Sequence, residues 1–157
     1  MIKFLEKCAQ IEQLVSEIYY VFATNPENDE TLANIWKDMA RDEGDHCQQL
    51  RLAARLPASD AFNGVNKNCP APEALHEQAE LLLEKARSNN LSILEMLKTA
   101  VVLEKEFRKL HAGYALEFKN ASLRSTFEKL SRADAEHLRE LDAYLTKYKA
   151  ERQTGKP

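Results

Sequence analysis

A glutamate and a histidine stand three residues apart in the segment 40–50, which reads ARDEGDHCQQL. On an α-helix, Glu43 and His46 therefore project from one face. Apolar residues continue that face on both sides, including Leu32 before the pair and Leu50 after it. A charge buried without a partner is strongly destabilising. The pair therefore predicts a compensating charge or ligand.

The same residue types recur in the second half of the chain. Asp134 and His137 are also three residues apart, and they interrupt the apolar face of the last predicted helix. Two further carboxylates, Glu12 and Glu104, interrupt the apolar faces of two other helices. Four helices therefore each carry an acidic residue where a buried side chain is expected.

The four carboxylates form two level pairs. In an antiparallel hairpin, residues equidistant from the turn lie at the same height. Glu12 and Glu43 are equidistant from a point inside the first short connection, and Glu104 and Asp134 from a point inside the second. The separations are 31 and 30 residues, so the two halves match each other as well.

Four carboxylates and two imidazoles in one helical core would repel each other if nothing lay between them. Two divalent cations balance four negative charges and take neutral imidazoles as ligands. Ferritin-like di-metal bundles use this arrangement, with one Glu from each of two helices and Glu-x-x-His from the other two. The sequence therefore predicts a di-metal site.

The elements that must position these residues are helices joined by short turns. Asn28 or Asp29 is the predicted cap of the second helix, Ser92 begins a capping box with Glu95, and Ser122 is the predicted cap of the last helix. We predict an all-α, four-helix bundle in which residues 57–72 form a loop and a short helix lies in the long crossover between the second and third long helices. The predicted helices span residues 2–23, 30–55, 72–87 (the short one), 92–118 and 122–149.

Composition is compatible with this fold and excludes other classes. The chain has 157 residues, enough for one domain, which we place at 1–150 with a flexible tail at 151–157. A net charge of -3 without a basic block argues against nucleic acid as a partner. No apolar run is long enough to span a membrane, and no signal-peptide region is visible. Three cysteines without a CxxC pair predict reduced thiols, so we expect a cytoplasmic protein.

The chain resembles the ferritin-like superfamily, and within it the rubrerythrin-type di-iron carboxylate domains. The segment NLSILEMLKTAVVLEKE at 90–106 is particularly similar to bacterial rubrerythrin-like proteins. The resemblance implies that Glu12 and Glu104 are lone carboxylate ligands and that Glu43 and Asp134 bridge or chelate. It further implies one imidazole for each metal and two iron ions as cofactor, with manganese or zinc able to occupy the same ligands. The imidazoles are those of His46 and His137.

The sequence departs from the family pattern at several points. Asp134 replaces the usual Glu and is one methylene shorter. Phe107 stands where peroxidase-type rubrerythrins carry an extra carboxylate, and no rubredoxin module with CxxC pairs is present. His111 follows Glu104 by seven residues, where the family often has Tyr. An electron donor would therefore have to be external.

The implied function is reaction of a di-iron centre with O2 or hydrogen peroxide, as a ferroxidase or peroxidase-type oxidoreductase in oxidative-stress defence or iron handling. The four carboxylates Glu12, Glu43, Glu104 and Asp134 would act at the catalytic centre. Two alternatives stay open: a di-metal oxygenase or oxidase acting on an organic substrate, and a metal-free helical interaction domain. A homodimer is one assembly we consider.

Other residues near the predicted site have structural interpretations first. Tyr19 and Trp36 are expected to be core aromatics, with a secondary hypothesis that they carry single electrons. His111 is expected to be a core histidine or one that contacts a metal ligand, rather than a third imidazole ligand. Cys8 and Cys47, like Glu12 and Glu43, are equidistant from the first turn and should lie at the same height. We expect them to be reduced, half-buried thiols.

Overall fold

The computed structural model describes residues 1–55, 69–88 and 91–153, and within them the chain is all-helical. Five α-helices are present in that part of the chain, and it contains no strand. They are α1 (Ile2–Ala23), α2 (Glu30–Ala53), α3 (Pro72–Arg87), α4 (Ile93–Ala115) and α5 (Ala121–Gln153). The prediction of an all-α protein is confirmed. Most of the predicted loop 57–72 and the end of the predicted tail lie outside the described residues.

Local sequence explains where these helices begin. The side chain of Asp29 accepts a hydrogen bond from the backbone N–H of Leu32, which caps α2 as predicted. Ser92 and Glu95 form the predicted capping box at the start of α4. Pro72 occupies the first turn of α3, where a missing N–H costs nothing.

The cap predicted for the last helix was wrong. The side-chain oxygen of Asn120, not that of Ser122, accepts the backbone N–H of Leu123 at 3.1 Å and that of Ser122 at 3.0 Å. Helix α5 therefore begins at Ala121, and it continues to Gln153, beyond the predicted end at residue 149. An Asn side chain reaches the first backbone N–H groups of a helix as well as a Ser side chain does, so composition alone did not separate the two.

The long helices pack as two antiparallel pairs. Helix α1 lies along α2, and α4 lies along α5. Between α1 and α2, Phe22 contacts Trp36 near the turn, and the Ser16 hydroxyl donates to the Ala40 carbonyl at 2.6 Å farther from it. Helix α3 packs against α1, and α2 also contacts α5.

The two pairs enclose one hydrophobic core to which all five helices contribute. Aromatic rings fill one end of it, where Phe4 of α1 contacts Tyr114 of α4 and Phe127 of α5. Tyr19 and Trp36, predicted as core aromatics, stack at 5.6 Å and have no exposed surface. Among the described residues, no helix combines the length and the apolar character needed to cross a membrane.

Candidate metal centre

Seven acidic and histidine side chains lie buried within the core, and α1, α2, α4 and α5 each supply at least one. None of them exposes more than 7% of its surface. Six are the residues that the sequence predicted as ligands, and the seventh is His111. The set consists of Glu12, Glu43, His46, Glu104, His111, Asp134 and His137.

The first of two candidate ligand groups joins α1 to α2. Glu12, Glu43 and His46 each offer one donor atom, and these atoms all lie within 4.8 Å of one another. Nδ1 of His46 is 2.8 Å from Oε2 of Glu43 and 4.0 Å from Oε2 of Glu12. The three-residue spacing on α2 places Glu43 and His46 on the same helix face, as predicted.

The second group joins α2, α4 and α5. Glu43, Glu104 and His137 also bring their donor atoms within 4.8 Å of one another. Nδ1 of His137 lies 3.1 Å from Oε1 of Glu43 and 3.3 Å from Oε2 of Glu104. Glu43 therefore belongs to both groups, with one carboxylate oxygen directed to each imidazole.

Unsatisfied polar atoms show that this cluster fits bound cations. Within the cluster, four buried side-chain atoms make no hydrogen bond of good geometry: Glu12 Oε2, Glu43 Oε1, His111 Nε2 and Asp134 Oδ1. Two of them still lie 3.1 Å from a neighbour of the cluster, Glu43 Oε1 from His137 and His111 Nε2 from Glu12. Buried polar atoms normally have partners, because burial without one is costly. Carboxylate oxygens and imidazole nitrogens are the donors that iron, manganese and zinc accept. Two divalent cations would give the orphaned oxygens of Glu12 and Glu43, which belong to the two ligand groups, the partners they lack.

The lone glutamates hold their protons unusually firmly in the metal-free protein. Burial raises the pKa of Glu12 to about 8, and the neighbouring charge of Glu43 adds to the effect. Burial and the charge of Glu43 likewise raise the pKa of Glu104 to about 7. Both pKa shifts have the same two causes: a buried carboxylate is poorly solvated, and the negative charge of a neighbouring carboxylate repels it.

Glu43 is the carboxylate that stays ionised. Burial alone would raise its pKa, but the hydrogen bonds of His137 and His46 outweigh burial and hold that pKa well below its usual range. Burial lowers the pKa of each imidazole, but the nearby carboxylates outweigh it. The contact with Glu43 raises the pKa of His46 to about 9. The contacts with Glu104 and Glu43 raise the pKa of His137 to about 12. Cations that bind here must displace these protons.

Two further contacts surround the ligand groups. The Tyr19 hydroxyl donates to Oε1 of Glu104 at 2.6 Å, and burial with the charge of Glu104 raises the pKa of Tyr19 well above its ordinary value. Nε2 of His137 lies 3.4 Å from Oδ2 of Asp42. Asp42 and His137 line a surface cleft of about 690 Å³, which places the second group next to solvent.

Sequence reasoning missed Asp42. This residue precedes Glu43 on α2, so it points away from the buried face and is only half-buried. Its contact with His137 depends on how closely α5 approaches α2. The apolar pattern of a helix identifies residues on its buried face, and Asp42 lies at the edge of that face. The pattern therefore could not identify it.

Asp134 differs from the other predicted ligands. It is fully buried in the same cluster, but it belongs to neither of the two groups found among the described residues. Its Oδ2 instead lies 2.8 Å from Nδ1 of His111. Phe107, three residues after Glu104 on α4, is buried with its ring 6.4 Å from that of His111.

The predicted free thiols are present. Cys8 and Cys47 are buried and form no disulfide. Both are more deeply buried than the predicted half-buried state. The Cys47 thiol lies 3.8 Å from Oε1 of Gln13, within reach of a weak hydrogen bond. Cys47 of α2 therefore packs against α1, and both cysteines belong to the hydrophobic core as small apolar side chains.

The fold and the cluster define a class: an all-helical protein with a buried carboxylate–imidazole centre able to hold metal. Comparison of the chain with protein-family models, with curated proteins and with solved structures found no match in any of the three. The functional argument therefore depends on the geometry of the site.

Proposed function

We propose that this chain is a di-iron carboxylate protein with a ferritin-like four-helix bundle, in which α3 lies in the crossover between α2 and α4. The observation that carries the proposal is the sharing of Glu43 between two buried ligand groups, one with Glu12 and His46 and the other with Glu104 and His137. Because one oxygen of Glu43 faces His46 and the other faces His137, this carboxylate could help to hold an ion in each group. Manganese or zinc could occupy the same ligands.

Charge balance supports two ions rather than one. Glu12, Glu43, Glu104 and Asp134 would carry four negative charges if all were ionised, and all four are buried. One divalent cation would leave two of those charges without compensation in the core, which is costly. With two divalent cations the four charges would be balanced, and the protons that the metal-free cluster holds would be released.

The proposed reaction is with O2 or hydrogen peroxide, as a ferroxidase or peroxidase-type oxidoreductase. A bound ferrous pair supplies two electrons for the reduction of either oxidant. The chain contributes rigid placement: Tyr19 holds one oxygen of Glu104, and the surrounding aromatic and aliphatic side chains keep bulk water out. In this proposal small solutes would approach the second group from the surface cleft that Asp42 and His137 line. Electrons to restore the ferrous state would come from an external donor.

The decisive experiment combines metal analysis with an oxidation assay. The chain is purified without chelator and its metals are measured; the metal-free protein is then loaded anaerobically with Fe(II) and exposed to air or to hydrogen peroxide. We expect two iron ions per chain, and we expect both to be oxidised from Fe(II) to Fe(III) on exposure. Glu43→Gln should abolish binding at both positions, because it removes the shared charge.

Asp45→Asn is the matched control, since it also removes one negative charge from α2 but at an exposed position. It should bind two iron ions as the unchanged chain does. Equal metal content in the Glu43→Gln and unchanged proteins would contradict the proposal and leave a metal-free helical protein as the better description. Conversion of an organic compound at the loaded centre, rather than simple turnover of the oxidant, would identify an oxygenase or oxidase.

A further inference from the structure

Two of the residues at which this sequence departs from the rubrerythrin pattern contact each other. Asp134 and His111 are both fully buried, and the His111 Nδ1–H donates to Oδ2 of Asp134 at 2.8 Å. One residue is a shortened carboxylate on α5, and the other is an imidazole on α4. Their contact makes them a single structural unit rather than two independent changes.

The other side of the same imidazole faces a predicted ligand. Nε2 of His111 lies 3.1 Å from Oε1 of Glu12, across the core on α1. The chain of contacts therefore runs from Asp134 through His111 to Glu12 and joins three helices. The ring of Phe127 also packs edge-on against the His111 ring, with 5.6 Å between the centroids, and this contact restricts how the imidazole can turn.

The position seven residues after the lone glutamate holds a different residue in each half of the chain. Tyr19 follows Glu12 by seven residues and contacts Glu104, while His111 follows Glu104 by seven residues and contacts Glu12. A tyrosine has one polar atom, so it holds one carboxylate. An imidazole has two nitrogens at opposite sides of its ring, so it can contact a second carboxylate as well. In this chain the second carboxylate is Asp134.

We propose that Asp134 is a positioning residue rather than a metal ligand: it orients His111, which in turn places Glu12, and it leaves Glu43 as the only carboxylate shared by the two metal positions. This inference rests on the proposed di-metal function. Outer carboxylates that orient an imidazole or a ligand are common around metal sites and affect metal affinity without touching the ion. The absence of Asp134 from both ligand groups among the described residues agrees with this role.

The experiment uses Co(II) as the probe, titrated anaerobically into the metal-free chain and followed by absorption and by equilibrium dialysis. Asp134→Asn keeps an oxygen that can accept the His111 Nδ1–H but is a poor metal ligand. We expect this variant to bind two Co(II) per chain with less than tenfold loss of affinity. Asp134→Leu removes the acceptor, and we expect two Co(II) to bind with one position weakened about 10- to 100-fold.

A second readout reports the contact itself. In the metal-free chain labelled with ¹⁵N-histidine, the ring nitrogens of His111, assigned with His111→Gln, should show the same protonated Nδ1 in the unchanged protein and in Asp134→Asn. Asp134→Leu should alter that signal. A purely steric role for Asp134 would leave the nitrogen shifts unchanged, which would overturn the proposal.

The possible failures are distinguishable. If the unchanged chain binds two Co(II) and Asp134→Asn binds one, Asp134 is a ligand and only this inference is overturned. If neither the unchanged chain nor Asp45→Asn binds two Co(II), the proposed di-metal function fails and this inference fails with it. Circular dichroism of each variant checks that the helices have formed.

Discussion

The Tyr19 hydroxyl donates a 2.6 Å hydrogen bond to Oε1 of Glu104, across a separation of 85 residues in the chain. Both residues are completely buried. This bond joins α1 to α4 within the core, directly beside the group that Glu104 forms with Glu43 and His137. It thereby links the placement of a predicted ligand to the packing of the two helix pairs.

Replacing Tyr19 by Phe should destabilise the metal-free protein measurably. The change leaves a buried carboxylate oxygen without its donor, and hydrogen bonds to charged groups contribute about 1.5–3 kcal/mol. We expect a loss of that size in urea unfolding at pH 8, where Glu104, with its pKa at about 7, is mostly ionised. At pH 5.5 the loss should be smaller.

Tyr20→Phe is the matched control for that experiment. Tyr20 is the next residue on α1 and exposes 53% of its surface. Its replacement should change the free energy of unfolding by no more than about 0.5 kcal/mol. Equal effects of the two variants would show that the hydroxyl of Tyr19 has no special role.

Replacing Glu12 by Gln should stabilise the metal-free protein at alkaline pH while weakening metal binding. Burial and the charge of Glu43 raise the pKa of Glu12 to about 8, so above that pH the folded chain must hold two ionised carboxylates side by side. Gln removes one of these charges with little change in shape. At pH 9 we expect a gain of at least about 1.4 kcal/mol, the free energy of one pKa unit.

The control for Glu12→Gln is Glu6→Gln, an exposed position on the same helix with the same change of charge. It should alter neither the unfolding free energy at pH 9 nor the uptake of Fe(II). If Glu12→Gln destabilised the metal-free chain at pH 9, repulsion from Glu43 would not be the dominant interaction of this carboxylate.

The metal-free protein should lose stability as the pH rises from 6 to 9. A carboxyl whose pKa is raised on folding stabilises the folded state while protonated, so the contribution of Glu104 is lost as the pH approaches about 7 and that of Glu12 as it approaches about 8. His46 acts in the same direction, since its protonated form is favoured on folding until the pH passes about 9. Thermal unfolding in metal-free buffers at successive pH values measures the sum.

The metal-loaded protein provides the contrast. Bound cations replace the protons of these groups, so the loaded protein should retain its melting temperature across the same pH interval. A melting temperature of the metal-free protein that rose with pH would contradict the electrostatic description of the cluster. Glu43 has the opposite shift, and its contribution is lost only as the pH falls below the usual range of a carboxyl group.

Gly44→Ala should stabilise the protein. Gly44 lies in the interior of α2, where Gly is less favourable than Ala by roughly 0.5–1 kcal/mol. A Cβ added there would lie 3.7 Å from the Ser16 hydroxyl oxygen, an ordinary van der Waals distance. We therefore expect a gain of about 0.5–1 kcal/mol in urea unfolding. A loss would mean that α1 and α2 cannot accommodate even one methyl group at this crossing.

Much of the architecture could be read from local patterns. Apolar residues at helical spacing and turn residues between them predicted α1 and α3 to the residue and α2 to within two residues at its end. The same spacing identified the buried acidic residues, because a carboxylate on an apolar face stands out against its neighbours. The short connections also predicted the antiparallel pairing of α1 with α2 and of α4 with α5.

The ends of the helices and their capping residues were harder to predict from the sequence. Asn120 and Ser122 are both good capping residues, and the choice between them depends on the path of the chain after α4. A difference of two residues changed the cap without moving the helix faces. The buried acidic residue and histidine of α5, Asp134 and His137, were therefore predicted correctly even though the helix begins earlier than expected.

The sequence by itself determined that the chain is helical and that six acidic and histidine residues face its core, because both properties follow from the 3.6-residue period of an α-helix. Only the tertiary structure decided that Glu43 is shared by two groups, that Asp134 contacts His111, and that Asp42 approaches His137. These contacts depend on side-chain length, rotamer and the distance between helix axes, to within about an ångström. A pattern of residue types along one chain contains no measure of those distances.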